Sequence, residues 1–205
     1  MFWETINAGG VLGIPMLVSI WDDGYGISVP NEFQITKGNL SELLSGFQRQ
    51  EGSRRGYDLH RVPGWDYPRL CETYVKTAET VRREHVPAIL HVVEMTQPQG
   101  HSTSGSHERY KSPERLEWER DWCCLKKMRE WIEDEGLASA EELEALEAEE
   151  RESVRDAQQR AWDAYRAPFE EEKKVVLGLL GELRGEAGGE AAGEIEEAER
   201  QLGRK

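Results

Sequence analysis

The sequence predicts an α/β fold: part of a parallel-sheet layered domain, followed by C-terminal helices. Three observations carry this. Short apolar runs alternate with a helical pattern and Gly/Pro turns up to about residue 112. The clearest run, Ala88 to Glu94, is β-branched and apolar on both faces, as in strands covered on both sides. After Ser112 the chain reads as helix, with Val175 to Leu183 fit for one helix, Gly185 to Gly193 breaking the pattern and Glu194 to Leu202 fit for a last short helix.

The elements follow in order. Met16 to Ile20 reads as a first strand, Asn39 to Phe47 as a short helix, and Asp58 to Val62 as a weaker strand. Asp66 can cap a helix whose first turn holds Pro68, where the missing N–H costs nothing. Leu70, Tyr74, Ala78 and Val81 then form one apolar stripe. With Ala88 to Glu94 this makes a strand–helix–strand unit with a right-handed crossover. A three-stranded sheet of this kind has two open edges. Ser112-Pro113 starts the helical part, and Trp122, Leu125, Met128 and Ile132 form a stripe ending at Gly136. Ser139-x-x-Glu142 is a capping box for a longer helix. Its narrow seam of Leu143, Leu146, Val154, Ala157, Ala161 and Tyr165 is expected to end at Pro168. The division expected is residues 1–112 as the α/β region, 113–168 as the helical region, and 169–205 as an acidic Gly/Glu-rich linker or arm.

Composition narrows the function. The 205 residues hold 26 Lys+Arg against 40 Asp+Glu, a net charge of −14. Such a chain lacks the basic face that nucleic acid requires. Seven Trp, six Tyr and four Phe are too many for a disordered chain. Cys71, Cys123 and Cys124 show neither a disulfide framework nor zinc spacing, so a reducing, cytoplasmic setting is expected. Met1-Phe2-Trp3-Glu4 lacks the basic start of a signal peptide. Val11 to Trp21 has about half the length needed to span a bilayer, so no membrane partner is expected.

Two loops carry candidate chemistry. Asp22-Asp23-Gly24-Tyr25-Gly26 follows the first strand, and ligands of open α/β sheets bind outside the carboxyl ends of strands. Paired carboxylates and glycines there suit a hard divalent cation such as Mg²⁺, and they equally suit a plain Asp-Gly turn. The second loop, Thr96 to His107 with Arg109, Tyr110 and Lys111 beyond it, follows the third strand at the same edge. Its histidines, hydroxyls and neighbouring cations could bind phosphate or polarise a carbonyl, or form a mobile hydrophilic loop. His91, inside an apolar strand, reads as a satisfied core histidine. No Walker loop, GxGxxG, GxSxG or HExxH occurs.

An ordered set of motifs resembles one family. Phe2-Trp3-Glu4-Thr5-Ile6-Asn7, Pro15-Met16-Leu17-Val18, Asp22 to Pro30, Gly64-Trp65-Asp66, Gly100 to Ser104 and Tyr110-Lys111 together resemble the alpha subunit of 2-oxo acid dehydrogenases. These are the thiamine-diphosphate-dependent decarboxylating components of the pyruvate and branched-chain complexes. The likeness runs from residue 2 to about residue 168. It implies part of a thiamine-diphosphate-binding fold. It also implies oxidative decarboxylation of a 2-oxo acid with transfer of the acyl group to a lipoyl-bearing acyltransferase. The implied cofactors are thiamine diphosphate and Mg²⁺, and the implied partner is a beta-like subunit or a fused beta-like domain in an oligomer.

Site roles carry over by position. Asp23 stands where the family has a side-chain Mg²⁺ ligand, and Tyr25 where a backbone carbonyl completes that ligation. His101 stands at the catalytic histidine that helps hold the diphosphate and the substrate end of the site. Ser102 matches a serine that mitochondrial relatives phosphorylate, where added charge would oppose the diphosphate.

There are departures. The family's Gly-Asp-Gly or Gly-Glu-Gly, some two dozen residues before the Asn pair, is expected to lie upstream of Met1. The chain thus reads as a C-terminal piece of the alpha-like region, inactive alone. Asp22-Asp23 replaces Asn-Asn, and Gln97 stands where an Arg is usual. The glutamate that activates the aminopyrimidine ring comes from the beta-like partner. Two further readings stay open: a non-catalytic subunit-interaction module, and a transketolase-like thiamine-diphosphate enzyme.

Overall fold

The computed structural model describes residues 1–97, 101 and 106–203. The chain forms two compact units, Met1–Ser139 and Ala140–Lys205. The first is mixed α/β. Helix α1 (Phe2–Leu12) leads into β1 (Leu17–Trp21), followed by a small antiparallel hairpin of β2 (Tyr25–Gly26) and β3 (Val29–Pro30). Helix α2 (Leu40–Leu44), extended by a 3-10 turn over Ser45–Phe47, precedes β4 (Asp58–Pro63), α3 (Tyr67–Glu84) and β5 (Ala88–Val93). Helices α4 (Pro113–Asp121) and α5 (Cys124–Asp134) complete the unit.

The sheet order is β1-β5-β4, and both pairings are parallel. Ile89 sits between Val18 and Leu59, which fixes the register across all three strands. The central place of β5 follows from its sequence: all six residues are buried, as a strand covered on both faces must be. The expected strand–helix–strand unit is present. The Asp66 side chain accepts the Arg69 amide to cap α3, with Pro68 in the first turn. Val81 of the expected stripe is fully buried, and Leu70, Tyr74 and Ala78 are partly so. The Ser112 side chain caps α4 in the same way.

Helix α1 is not foreseen by periodicity, and Gly9-Gly10 explains why. Glycine pairs usually read as breakers. Here they let α1 approach Tyr57, which is fully buried and donates its hydroxyl to the Ile6 carbonyl at 2.8 Å. A Cβ on Gly9 would collide with that hydroxyl. Ile6, Tyr57, Leu44 and Ile89 form the core, with Met16, Val18, Ile20, Leu40, Phe47 and Leu59 packed around it. Thus α1 and α2 share the face of β5 that carries Ile89.

The second unit corrects an expectation. Helix α6 (Ala140–Glu186) does not end at Pro168 but runs through it for 47 residues. A mid-helix proline removes one N–H donor and crowds one carbonyl. The strong helix formers on both sides of it, Ala164 to Ala167 and Glu170 to Lys174, carry the helix across that single defect. The stretch read as a linker or arm holds the two helical segments expected in it, the first as a continuation of α6. After a turn in which Gly189 adopts φ +58°, α7 (Glu190–Gly203) packs against the end of α6. Arg184 bonds Glu199 at 2.6 Å across this hairpin. Upstream, Trp162, Tyr165 and Phe169 form an exposed ring ladder along α6. No helix among the described residues is long and apolar enough to cross a membrane. Cys71, Cys123 and Cys124 are free thiols.

Candidate functional site

The turn after β1 is built around Asp22. Its amide donates to the Val92 carbonyl at 2.8 Å, continuing the β1–β5 ladder by one residue. Its Oδ1 accepts from the Gly24 amide at 2.8 Å and from Asn31 Nδ2 at 2.7 Å. Its Oδ2 lies 2.9 Å from His91 Nε2, and His91 Nδ1 lies 2.7 Å from the Ser41 hydroxyl. Both side chains are sheltered, His91 at 4% exposure and Asp22 at 14%. The His91 hydrogen bond, aided by Asn31 and Gly24 and opposed by burial, holds the Asp22 carboxyl down to about 2. His91 is thus the satisfied strand histidine expected, with Asp22 and Ser41 as its partners.

Asp23 is engaged by a single local bond. One of its carboxylate oxygens accepts the Tyr25 amide at 3.0 Å, and the other has no hydrogen bond among the described residues. Gly24 makes the reversal possible at φ +85°. Tyr25 pairs with Pro30 between the Asn31 N–H···O Gly24 bond at 3.0 Å and the Gly26–Val29 pair. A residue at such a non-hydrogen-bonded position turns its N–H and C=O away from the partner strand, and Pro30 has no N–H to offer. The Tyr25 carbonyl therefore faces the side on which its amide meets Asp23. The Asp23 carboxylate and the Tyr25 carbonyl thus lie on the side of this strand that faces away from β3.

The chain beyond the second loop comes back to this turn. The Tyr110 and Tyr25 rings meet at 5.6 Å, and Lys111 Nζ lies 5.2 Å from the Tyr25 ring centre. Arg115 Nη2 donates to the Asp23 carbonyl at 3.1 Å, and its Nε donates to Glu119 at 2.8 Å. Lys111 Nζ bonds both Glu119 oxygens at 2.8 Å, with the two side chains only 1% and 6% exposed. Lys111 is therefore committed to a buried ion pair. It is not a free cation for phosphate, which corrects its reading as a neighbouring cation available to the second loop.

The two loops leave from the same end of the sheet because β1 and β5 are parallel neighbours. The first loop and the Tyr110–Arg115 return come together there. His101 is exposed and makes no hydrogen bond or ion pair with other described residues; Ser102 lies outside the described residues. Among the described residues no group of three or more His, Cys, Asp or Glu side chains could hold a metal ion. A depression of about 570 Å³ lined by Gln48 to Arg54, Asp58 and Glu84 lies at the opposite, amino-terminal end of β4. Its Arg49 is already paired with Asp58 at 2.7 Å and with Glu84 at 3.3 Å.

Sequence reasoning did not join His91 to Asp22 and Ser41, nor Lys111 and Arg115 to Glu119. The Arg115–Glu119 pair had a signal in its i,i+4 helical spacing. The Asp22–His91 pair had none, because 69 residues separate its members.

Among curated proteins no relative matches the chain. The family model described as "Dehydrogenase E1 component" matches residues 1–170, which include the turn, the second loop and most of the helices. On that match the chain belongs to the dehydrogenase E1 component family.

Proposed function

We propose that the chain is the alpha-like part of a 2-oxo acid dehydrogenase, in which the Asp22–Tyr25 turn anchors Mg²⁺ and the diphosphate of thiamine diphosphate. The family is thiamine-diphosphate-dependent, and its alpha-type members work with a beta subunit. The observation that carries the reading is an Asp23 carboxylate oxygen with no hydrogen bond among the described residues, on the same side of the strand as the Tyr25 carbonyl, just beyond the carboxyl end of a parallel strand. Oxygen donors of this kind are what Mg²⁺ takes, with diphosphate oxygens and water filling further positions. The adjacent acidic pair does not defeat the fit. Asp22 has both oxygens occupied inside the fold, so a single carboxylate remains for the cation.

In this reading Asp23 and the Tyr25 carbonyl hold the cation, and Arg115 fixes the backbone between them through the Asp23 carbonyl. Lys111 and Glu119 brace Arg115 from beneath. His101, on the exposed bend of the second loop, takes the role the resemblance gives it, holding the diphosphate and orienting the substrate. When bound, thiamine diphosphate supplies the electron sink for decarboxylation. The substrate is a 2-oxo acid, the acyl acceptor is the lipoyl group of an acyltransferase, and the setting is cytoplasmic. The chain by itself does not turn over. Calorimetric titration of thiamine diphosphate with Mg²⁺ tests this. Binding is expected when a beta-like partner is present, and turnover of pyruvate or a branched-chain 2-oxo acid by the 205-residue chain alone would refute its inactivity.

A second reading, a non-catalytic subunit-interaction module, draws on the exposed Trp162, Tyr165 and Phe169 ladder of α6. Partner binding with no cofactor uptake under any condition would favour it.

A further inference from the structure

Asp22 is the most heavily engaged side chain of the turn, yet it is not one of the outward donors. Three separate parts of the fold converge on it: Ser41 of α2 through His91, His91 of β5 directly, and Asn31 after β3. His91 lies mid-strand between fully buried Leu90 and Val92, where an unpartnered imidazole would be costly. Asp22 can only accept, so His91 Nε2 carries the proton it donates, and the Ser41 hydroxyl completes the chain at Nδ1, where it can donate or accept.

We propose that His91 and Ser41 are positioning residues for the cation turn. They hold Asp22 in the fold so that Asp23 alone presents a carboxylate oxygen beside the Tyr25 carbonyl. The inference rests on the reading of this turn as a Mg²⁺ site, but its structural half stands apart from it. Without His91, Asp22 Oδ2 loses its only donor among the described residues and is left largely buried. The carboxylate then swings toward water, the Gly24 amide loses its acceptor, and the turn that orients Tyr25 loosens.

Amide hydrogen exchange on the full chain tests this, read at Gly24 and Tyr25 with Val81 of α3 as reference. In His91→Leu, exchange at Gly24 and Tyr25 should rise by about tenfold while Val81 is unchanged. His91→Gln keeps an amide N–H in the Nε2 position and should stay within about threefold of wild type. Ser41→Ala should give an intermediate rise, and it carries the comparison with His91→Gln if His91→Leu does not fold. Identical exchange in all variants, or a uniform rise that includes Val81, would overturn the proposal. Uptake of Mn²⁺ with thiamine diphosphate and a beta-like partner is read in parallel. If wild type takes up no metal while the exchange pattern holds, the coenzyme reading fails and the positioning of Asp22 stands. If metal binds and His91→Leu binds it as wild type does, the positioning role fails and the coenzyme reading stands.

Discussion

Replacing Glu119 by Gln isolates the brace beneath the turn. Glu119 is 6% exposed and neutralises two cations, Lys111 at 1% and Arg115 at 29% exposure. Arg115 can reach solvent if released; Lys111 cannot. In Glu119→Gln the Lys111 ammonium keeps at most a neutral acceptor and stays buried. Removing one partner of a buried pair costs about 3–5 kcal/mol, most of it the uncompensated charge. For a unit the size of Met1–Ser139 this lowers the melting temperature by roughly 10 °C. Urea unfolding followed by tryptophan fluorescence and a thermal scan would read it. The double variant Lys111→Met with Glu119→Leu removes the buried charge altogether and should recover most of the loss. Stability of Glu119→Gln within about 0.5 kcal/mol of wild type, the range of ordinary surface substitutions, would refute the reasoning.

Two further effects follow from the same geometry. The Asp22 carboxyl sits below its ordinary 3.8, at about 2, so the folded state binds its proton less readily than the unfolded chain. Its contribution, about 2 kcal/mol, is present above pH 4 and lost as pH falls toward 2; the stability gap between wild type and Asp22→Asn in urea titrations should close over that window. Gly9→Ala drives a methyl group into the Tyr57 hydroxyl and should cost about 1–3 kcal/mol by denaturation, whereas Gly46→Ala, with open space around it, should not show this steric loss.

The features legible in sequence are those whose signal is local. The apolar run of β5, the Asp66 cap with Pro68, and Ser112-Pro113 each state their structure within a few residues. The Asp22 to Gly26 motif likewise announces a turn at a strand end. Most of what escaped depends on contacts between distant segments. Gly9-Gly10 looks like a break until Tyr57 is seen against it. Pro168 reads as a stop because the helix formers on either side of it are not weighed against its single lost donor. Lys111 looks available for phosphate because its partner lies on the next helix, and Asp22 looks like a second cation ligand because nothing near it in sequence reveals His91. The roles proposed for Asp23 and Tyr25 come from the resemblance together with the side of the strand they share.

The most direct measurement of the central claim is uptake of Mg²⁺ and thiamine diphosphate, with a beta-like partner present, by wild type, Asp23→Asn and Asp23→Ala. The asparagine variant, which keeps an oxygen donor, should bind within about threefold of wild type, and the alanine variant should weaken by about 10–100-fold. Equal uptake by all three proteins would contradict it, because the outward oxygen of Asp23 would then hold nothing.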